Sequence, residues 1–160
     1  MPDLIVHAVS GYLLSSKNWR NRCLPSIFLL GCIFPDLIRG PILIISNLSA
    51  VLDMNFASQK DVISLQILHS PFPLLVQVWL VSYLFEEKLR GKVFFNFLSG
   101  VVLHLLLDAG QRSYHISYLW LFPFSFSNPI NGLWWADDST WLTLSALFLG
   151  GFVFLLRYRR

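Results

Sequence analysis

The sequence predicts an all-α fold: a polytopic transmembrane helical bundle with short or half-embedded N-terminal helices and an aromatic interfacial loop. Three observations predict it. Hydrophobic residues make up 55% of the chain against 13% charged, about half the charged share of a water-soluble domain, and mean hydropathy is +0.59. Most of the basic residues close or open uncharged runs, as at membrane flanks. Aromatic residues reach 16%, with 14 Phe and 6 Trp, which suits lipid-facing surfaces and interfacial belts. At 160 residues the chain reads as one membrane-embedded domain, 1–160.

The first element is the uncharged run Leu4 to Ser16, interrupted by His7 and Gly11 and closed by Lys17 to Arg22. As a helix it is roughly 20 Å long, short of a roughly 30 Å hydrocarbon core, so a short, tilted or half-embedded helix is expected. The start, Met1-Pro2-Asp3-Leu4, puts an acid where a secretory leader carries a basic region, so insertion is expected through retained helices. A second run, Cys23 to Pro35, ends at Asp36, where a proline followed by a carboxylate predicts a helix boundary. A third run, Gly40 to Leu52, has Pro41 at a plausible helix start.

Val62 to Phe85 follows, 24 residues without Lys, Arg, Asp or Glu. It is the strongest spanning candidate, kinked by Pro71 and Pro73 just after His69-Ser70. Glu86 to Lys92 reads as a compact turn into a helix over Val93 to Leu107, and so short a loop predicts an antiparallel hairpin. Gly110 to Asp138, with Pro123, Pro129 and many aromatics, reads as a non-spanning interfacial segment. Within it, Trp120 to Ser125 suits belt anchoring or the wall of an acyl-chain entrance, and Asp137 and Asp138 read as acids at a helix start. Ser139 to Leu156, closed by Arg157 to Arg160, is the last predicted spanning helix.

The net charge of +3 does not gather into a nucleic-acid patch; it is spread over the membrane-flanking clusters. Cys23 and Cys32 read as buried thiols, with a disulfide between them left open. Ser70 and Ser113 lack the glycine-flanked elbow of a serine hydrolase, and no glycine-rich phosphate loop occurs.

Against so apolar a background the ionisable residues stand out. His104 and Asp108 are four apart, on one face of a helix. Placing the basic clusters at 17–22, 86–92 and 157–160 on the cytoplasmic side makes the segments between them run alternately outward and inward. His7, Asp36, His69, His104 and Asp108 then all reach the external level, although Arg39, Lys60 and Arg112 would lie outside too and weaken the charge asymmetry. Imidazoles and carboxylates in this mixture suit a divalent metal, zinc first, with manganese or iron as alternatives, and either one ion or two. Arg112, four residues beyond Asp108, is equally a phosphate donor or a bilayer-surface arginine. His115 reads as an interfacial surface histidine, with a proton shuttle as the alternative.

The motifs His7-Ala8-Val9-Ser10-Gly11, Gly31 to Pro35-Asp36, His69-Ser70, Gly100 to His104 through Asp108, and Pro123-Phe124-Ser125 occur in the order seen in the YdjM-like family. The chain thus resembles that family of bacterial inner-membrane proteins, regarded as metal-dependent hydrolases. The resemblance implies that His7, Asp36, His69, His104 and Asp108 are metal-site positions. Two departures stand out: Ile38 occupies the place of a second carboxylate in the family's Pro-Asp-x-Asp pattern, and Gln66-Ile67-Leu68 before His69 lack the usual basic residue.

The expectation is therefore a multi-pass protein of the bacterial inner membrane, with a metal site near the external face. It would hydrolyse a phosphoester in a membrane lipid or lipid-linked substrate, with Asp36, Asp108 and Arg112 in catalytic roles and no nucleic-acid partner. The alternative is a metal-stabilised scaffold or transport component. The oligomeric state is left open.

Overall fold

The computed structural model describes residues 4–15, 24–52, 59–111, 119–126, 130, 132 and 139–158. Among them lie six helices: α1 (Leu4–Leu14), α2 (Pro25–Leu52), α3 (Gln59–Leu68), α4 (Pro71–Ser82), α5 (Glu87–Ala109) and α6 (Ser139–Tyr158). The expectation of an all-helical chain holds for these residues. Two of the helices, α5 and the stretch Thr140–Arg157 of α6, are long and apolar enough to cross a membrane.

The centre of the fold is the crossing of α2 and α5. Gly31 and Gly100 meet there so closely that a Cβ on Gly31 would collide with the Phe97 carbonyl oxygen, and one on Gly100 with that of Phe28. Only glycine permits such a backbone contact, the device by which helices pack when small residues face each other. The two helices run parallel and in register. The Leu24 amide donates to Asn96 Oδ1 at 3.2 Å, Phe28 abuts Gly100, and Cys32 O lies 2.8 Å from the His104 ring. Each pair is separated by the same 72 positions, so Asp36 and Asp108 arrive side by side.

The other helices are laid around this pair. α4 returns against α5 as the expected hairpin. Leu74 and Val78 pack on Phe97 and Val101 to form the buried apolar core, and the Arg90 guanidinium covers the Tyr83 ring at the turn, 4.7 Å from its centroid. α1 lies antiparallel to α2, with Gly11 against Cys32 and Leu29. α6 runs parallel to α1, touching Val9 through Gly150.

Three segments differ from the sequence expectation. The runs on either side of Asp36 are not two short helices: α2 is continuous over 28 residues with Pro35 and Pro41 inside it. Each proline removes one helical donor, but close packing of Phe28, Gly31 and Cys32 holds the helix together where the first donor is missing. In contrast, the run from Val62 to Phe85 is not one kinked helix. It is divided at His69-Ser70 into α3 and α4, with Ser70 extended as the N-cap and Pro71 in the first turn of α4, a position proline favours. Finally, α5 begins at Glu87, so the turn before it is tighter than the expected Glu86–Lys92 loop. Lys17 to Arg22, Cys23, Asp137 and Asp138 lie outside the described residues; Cys32 is a buried free thiol.

Candidate metal centre

Five ionisable side chains from four elements converge at one end of the α2–α5 pair. His7 comes from α1, Asp36 from α2, His69 from the break between α3 and α4, and His104 and Asp108 from successive turns of α5. The break in the chain at residue 69 is what turns that imidazole inward: its backbone belongs to no helix. His7 and His104 are fully buried and Asp108 is 1% exposed, whereas the Asp36 side chain retains 16% exposure.

The contacts form one network. His69 Nε2 lies 2.8 Å from Asp108 Oδ2, His104 Nε2 is 3.3 Å from the same oxygen, and His7 Nε2 is 3.4 Å from Asp108 Oδ1. Asp36 faces His7 at 3.7 Å and His104 at 3.9 Å. The Nε2 atoms of His69 and His104 are themselves 3.4 Å apart. Two sets can therefore hold a metal ion, His7 with Asp36 and His104, and His69 with His104 and Asp108.

The tautomers decide what this network lacks. A carbonyl oxygen can only accept, so the 2.8 Å contact between His104 Nδ1 and Cys32 O makes Nδ1 the donor. The longer 3.4 Å contact of His69 Nδ1 with Pro35 O has the same sense. In the neutral rings both Nε2 atoms are then lone pairs, and they point at carboxylate oxygens and at each other. Neither ring nitrogen of His7 makes a hydrogen bond to a described residue, nor does Asp108 Oδ1. Three imidazole nitrogens and two carboxylates thus converge, with acceptors facing acceptors, in a place water barely reaches.

Two kinds of positive charge satisfy such a cluster: extra protons on the imidazoles, or a metal cation. The rings of His7 and His104 are stacked, with centroids 3.8 Å apart and planes 24° from parallel. Protonating both would lay one cation on another. A metal fits better on distance as well. Ligand atoms about 2.1 Å from a tetrahedral ion stand about 3.4 Å from one another, and three of the contacts above are 3.3, 3.4 and 3.4 Å. The carbonyls of Cys32 and Pro35 are placed as the outer partners of metal-bound histidines usually are, holding Nδ1–H so that Nε2 would face an ion held there.

All five residues expected from the sequence are brought together. Arg112 and His115 lie outside the described residues. Arg39 and Gln66 were not singled out by the sequence. Arg39 stands three residues past Asp36 on the same side of α2, close enough for its charge to act on His69, and that spacing from Asp36 was the available signal. Gln66 is 4% exposed and, with Ser70 and Trp120, lines a recess against His69; an uncharged residue in an uncharged run gives no comparable signal. No protein-family model, curated protein or solved structure matches the chain.

Proposed function

We propose that the chain is a multi-pass protein of the bacterial inner membrane that hydrolyses a phosphoester in a lipid or lipid-linked substrate at one divalent metal ion, zinc in the first instance. The observation that carries the metal reading is the inward set of Nε2 lone pairs and carboxylate oxygens, at the spacing of ligands around one ion. A single ion is favoured because both candidate sets use His104, whose Nδ1 is engaged by Cys32 O, leaving one nitrogen to coordinate. Ile38, where the YdjM-like pattern has a second carboxylate, agrees with that count.

His7, Asp36, His69, His104 and Asp108 would hold the ion. Bound there, the metal would supply an acidified water and polarise a phosphoryl oxygen. The two carboxylates divide the remaining work by exposure. Asp108 is shut in by three histidines and orients them, while Asp36, the more exposed carboxylate, takes the proton of the attacking water. Arg39, beyond Asp36 on the open side, steadies the phosphate. Arg112 is retained as a second donor to that phosphate.

The membrane reading rests on α5 and α6 and on the directions of the helices. The end of α1, the starts of α2 and α5 and the end of α6 all adjoin basic clusters. The packing directions bring these ends to one side, with the five ionisable residues at the other, which supports a site near the external face.

Elemental analysis of the detergent-purified protein tests the metal, and release of phosphate or head group from lipid extracts tests the reaction. About one ion per chain, with turnover lost in Asp36→Asn, is the expected result. A chain without metal, whose melting is indifferent to chelator, would overturn the reading. The burial of His7, His69, His104 and Asp108 favours one second reading, a metal-stabilised scaffold or transport component, marked by bound metal and no turnover of any phosphoester.

A further inference from the structure

The break at His69-Ser70 leaves the end of α3 short of donors. In an unbroken helix the amides of residues 71, 72 and 73 would meet the carbonyls of Ile67, Leu68 and His69. Pro71 and Pro73 have no N–H to give, and the extended backbone of Ser70 takes the Phe72 amide out of helical line with Leu68. Neighbouring groups make up the loss. Ile67 O accepts from the Ser70 amide at 3.0 Å and from the Ser70 hydroxyl at 2.6 Å. Leu68 O accepts from Nε2 of Gln77 on α4, at 3.0 Å.

This second bond bears directly on the metal centre. The Leu68 carbonyl belongs to the peptide unit that joins Leu68 to His69, so holding it fixes the plane from which the His69 backbone, and with it the imidazole, departs. The far end of that imidazole stands 2.8 Å from Asp108 Oδ2 and 3.4 Å from His104 Nε2. α4 in turn packs on α5 through Leu74, Val78, Phe97 and Val101. Gln77 therefore ties His69 to the helix that carries His104 and Asp108.

Stability is a poor account of this side chain. Its Oε1 is buried with no hydrogen-bond partner, and an unmet acceptor costs as much as or more than an ordinary hydrogen bond contributes. A methionine would cover the same surface without that cost. We propose that Gln77 is a positioning residue of the metal centre, holding the Leu68–His69 peptide so that the His69 imidazole stands ready to coordinate. The proposal rests on the metal reading of the cluster and adds to it a residue that touches neither ion nor substrate.

The test reads metal binding rather than turnover. The detergent-purified protein is titrated with Co2+, whose visible absorption bands follow the geometry of its ligands, and is melted with and without chelator. Gln77→Met keeps the length of the side chain and removes the carboxamide. Cobalt affinity should fall roughly 10–100-fold, as when a ligand loses an outer partner, and the bands should shift. The melting temperature of the chelated protein should stay level or rise. Ser82→Ala, on the same helix, removes a buried 2.6 Å bond to Trp79 O and should do the opposite, lowering the melting temperature with affinity and bands kept. Gln77→Met with the affinity and bands of the parent overturns the positioning role and leaves the metal reading standing. A Gln77→Met chain that melts lower under chelator, or fails to fold, also overturns it, because the residue is then structural. A parent that binds no cobalt overturns the metal reading and the positioning role together.

Discussion

α5 and α6 are nearly equal in apolarity, with mean hydropathies of 1.5 and 1.6, yet 39% of the first is buried and only 6% of the second. The difference lies in where their small and polar residues fall. On α5, Asn96, Gly100, His104 and Asp108 follow one another every fourth residue, and all are buried. They make a stripe against which α2 packs in register, while Phe95 and Leu106 on other faces are 67% and 65% exposed. On α6 the contact with α1 runs through Gly150, and Trp141, Phe148 and Leu155 point outward. Hydropathy therefore shows only that both are long and apolar enough to cross a membrane, and the four-residue stripe separates the helix that builds a site from the one that borders it.

The sharpest way to break that contrast is to put the same side chain on each helix. Gly100→Leu drives a side chain into the Phe28 carbonyl and the Cys32 amide, and backbone cannot yield as a rotamer can. A loss of about 3 kcal/mol or more is expected, read as a collapsed thermal transition or loss of monodisperse protein in detergent. Gly151→Leu on α6 meets nothing within 4 Å and should change stability by less than about 0.5 kcal/mol. Equal effects at the two positions would remove the α2–α5 crossing as the centre of the fold.

A second pair of changes separates the helices by chemistry. Asp108→Asn keeps the shape of the side chain and removes the charge that three histidines face. Metal affinity should fall by more than the roughly 10–100-fold that loss of an outer-sphere partner brings. In the unaltered protein, metal at a hundred times its dissociation constant would add about 2.7 kcal/mol to stability. Chelator should therefore lower its melting temperature but leave that of Asp108→Asn in place. Phe148→Ala on α6 should retain both the metal and the chelator response. Calorimetry with and without chelator gives all three outcomes.

The same contrast explains what was legible in the sequence. His7, Asp36, His69, His104 and Asp108 could be found because an ionisable group in an uncharged run is conspicuous, and alternation of helix direction was enough to bring them to one level. The limits of α1 and α6 were legible too, being set by local charge. What depends on partners far along the chain was not. Pro35 read as a boundary because its lost donor is a local fact, whereas the contact that holds α2 through it is supplied by Gly100, 65 or more positions away. His69-Ser70-Pro71 announced a disturbance, but not that the chain would part into two helices and turn the imidazole inward. Gln66 carries no charge and so escaped notice, although it is buried beside His69.

The smallest expected effect lies where α6 meets α1. Arg157 donates from Nη1 to Tyr12 O at 3.2 Å and from Nη2 to Leu13 O at 3.3 Å, and its guanidinium lies 4.8 Å from the centroid of the Tyr12 ring. It thereby adds donors to two carbonyls in the last turn of α1, of which Tyr12 O also accepts from the Ser15 hydroxyl at 2.7 Å, and sets a positive charge at the negative end of that helix. Because the side chain is exposed, these bonds compete with water, and Arg157→Leu should cost only about 1 kcal/mol. Arg157→Lys should recover part of that, since a lysine keeps the charge but not the paired donors. His7 stands at the opposite end of α1, held by α2 and α5, so metal content should not change in either variant. If Arg157→Leu did release the metal, α6 would be a support of the site through α1, and its position at the border would no longer separate it from α5.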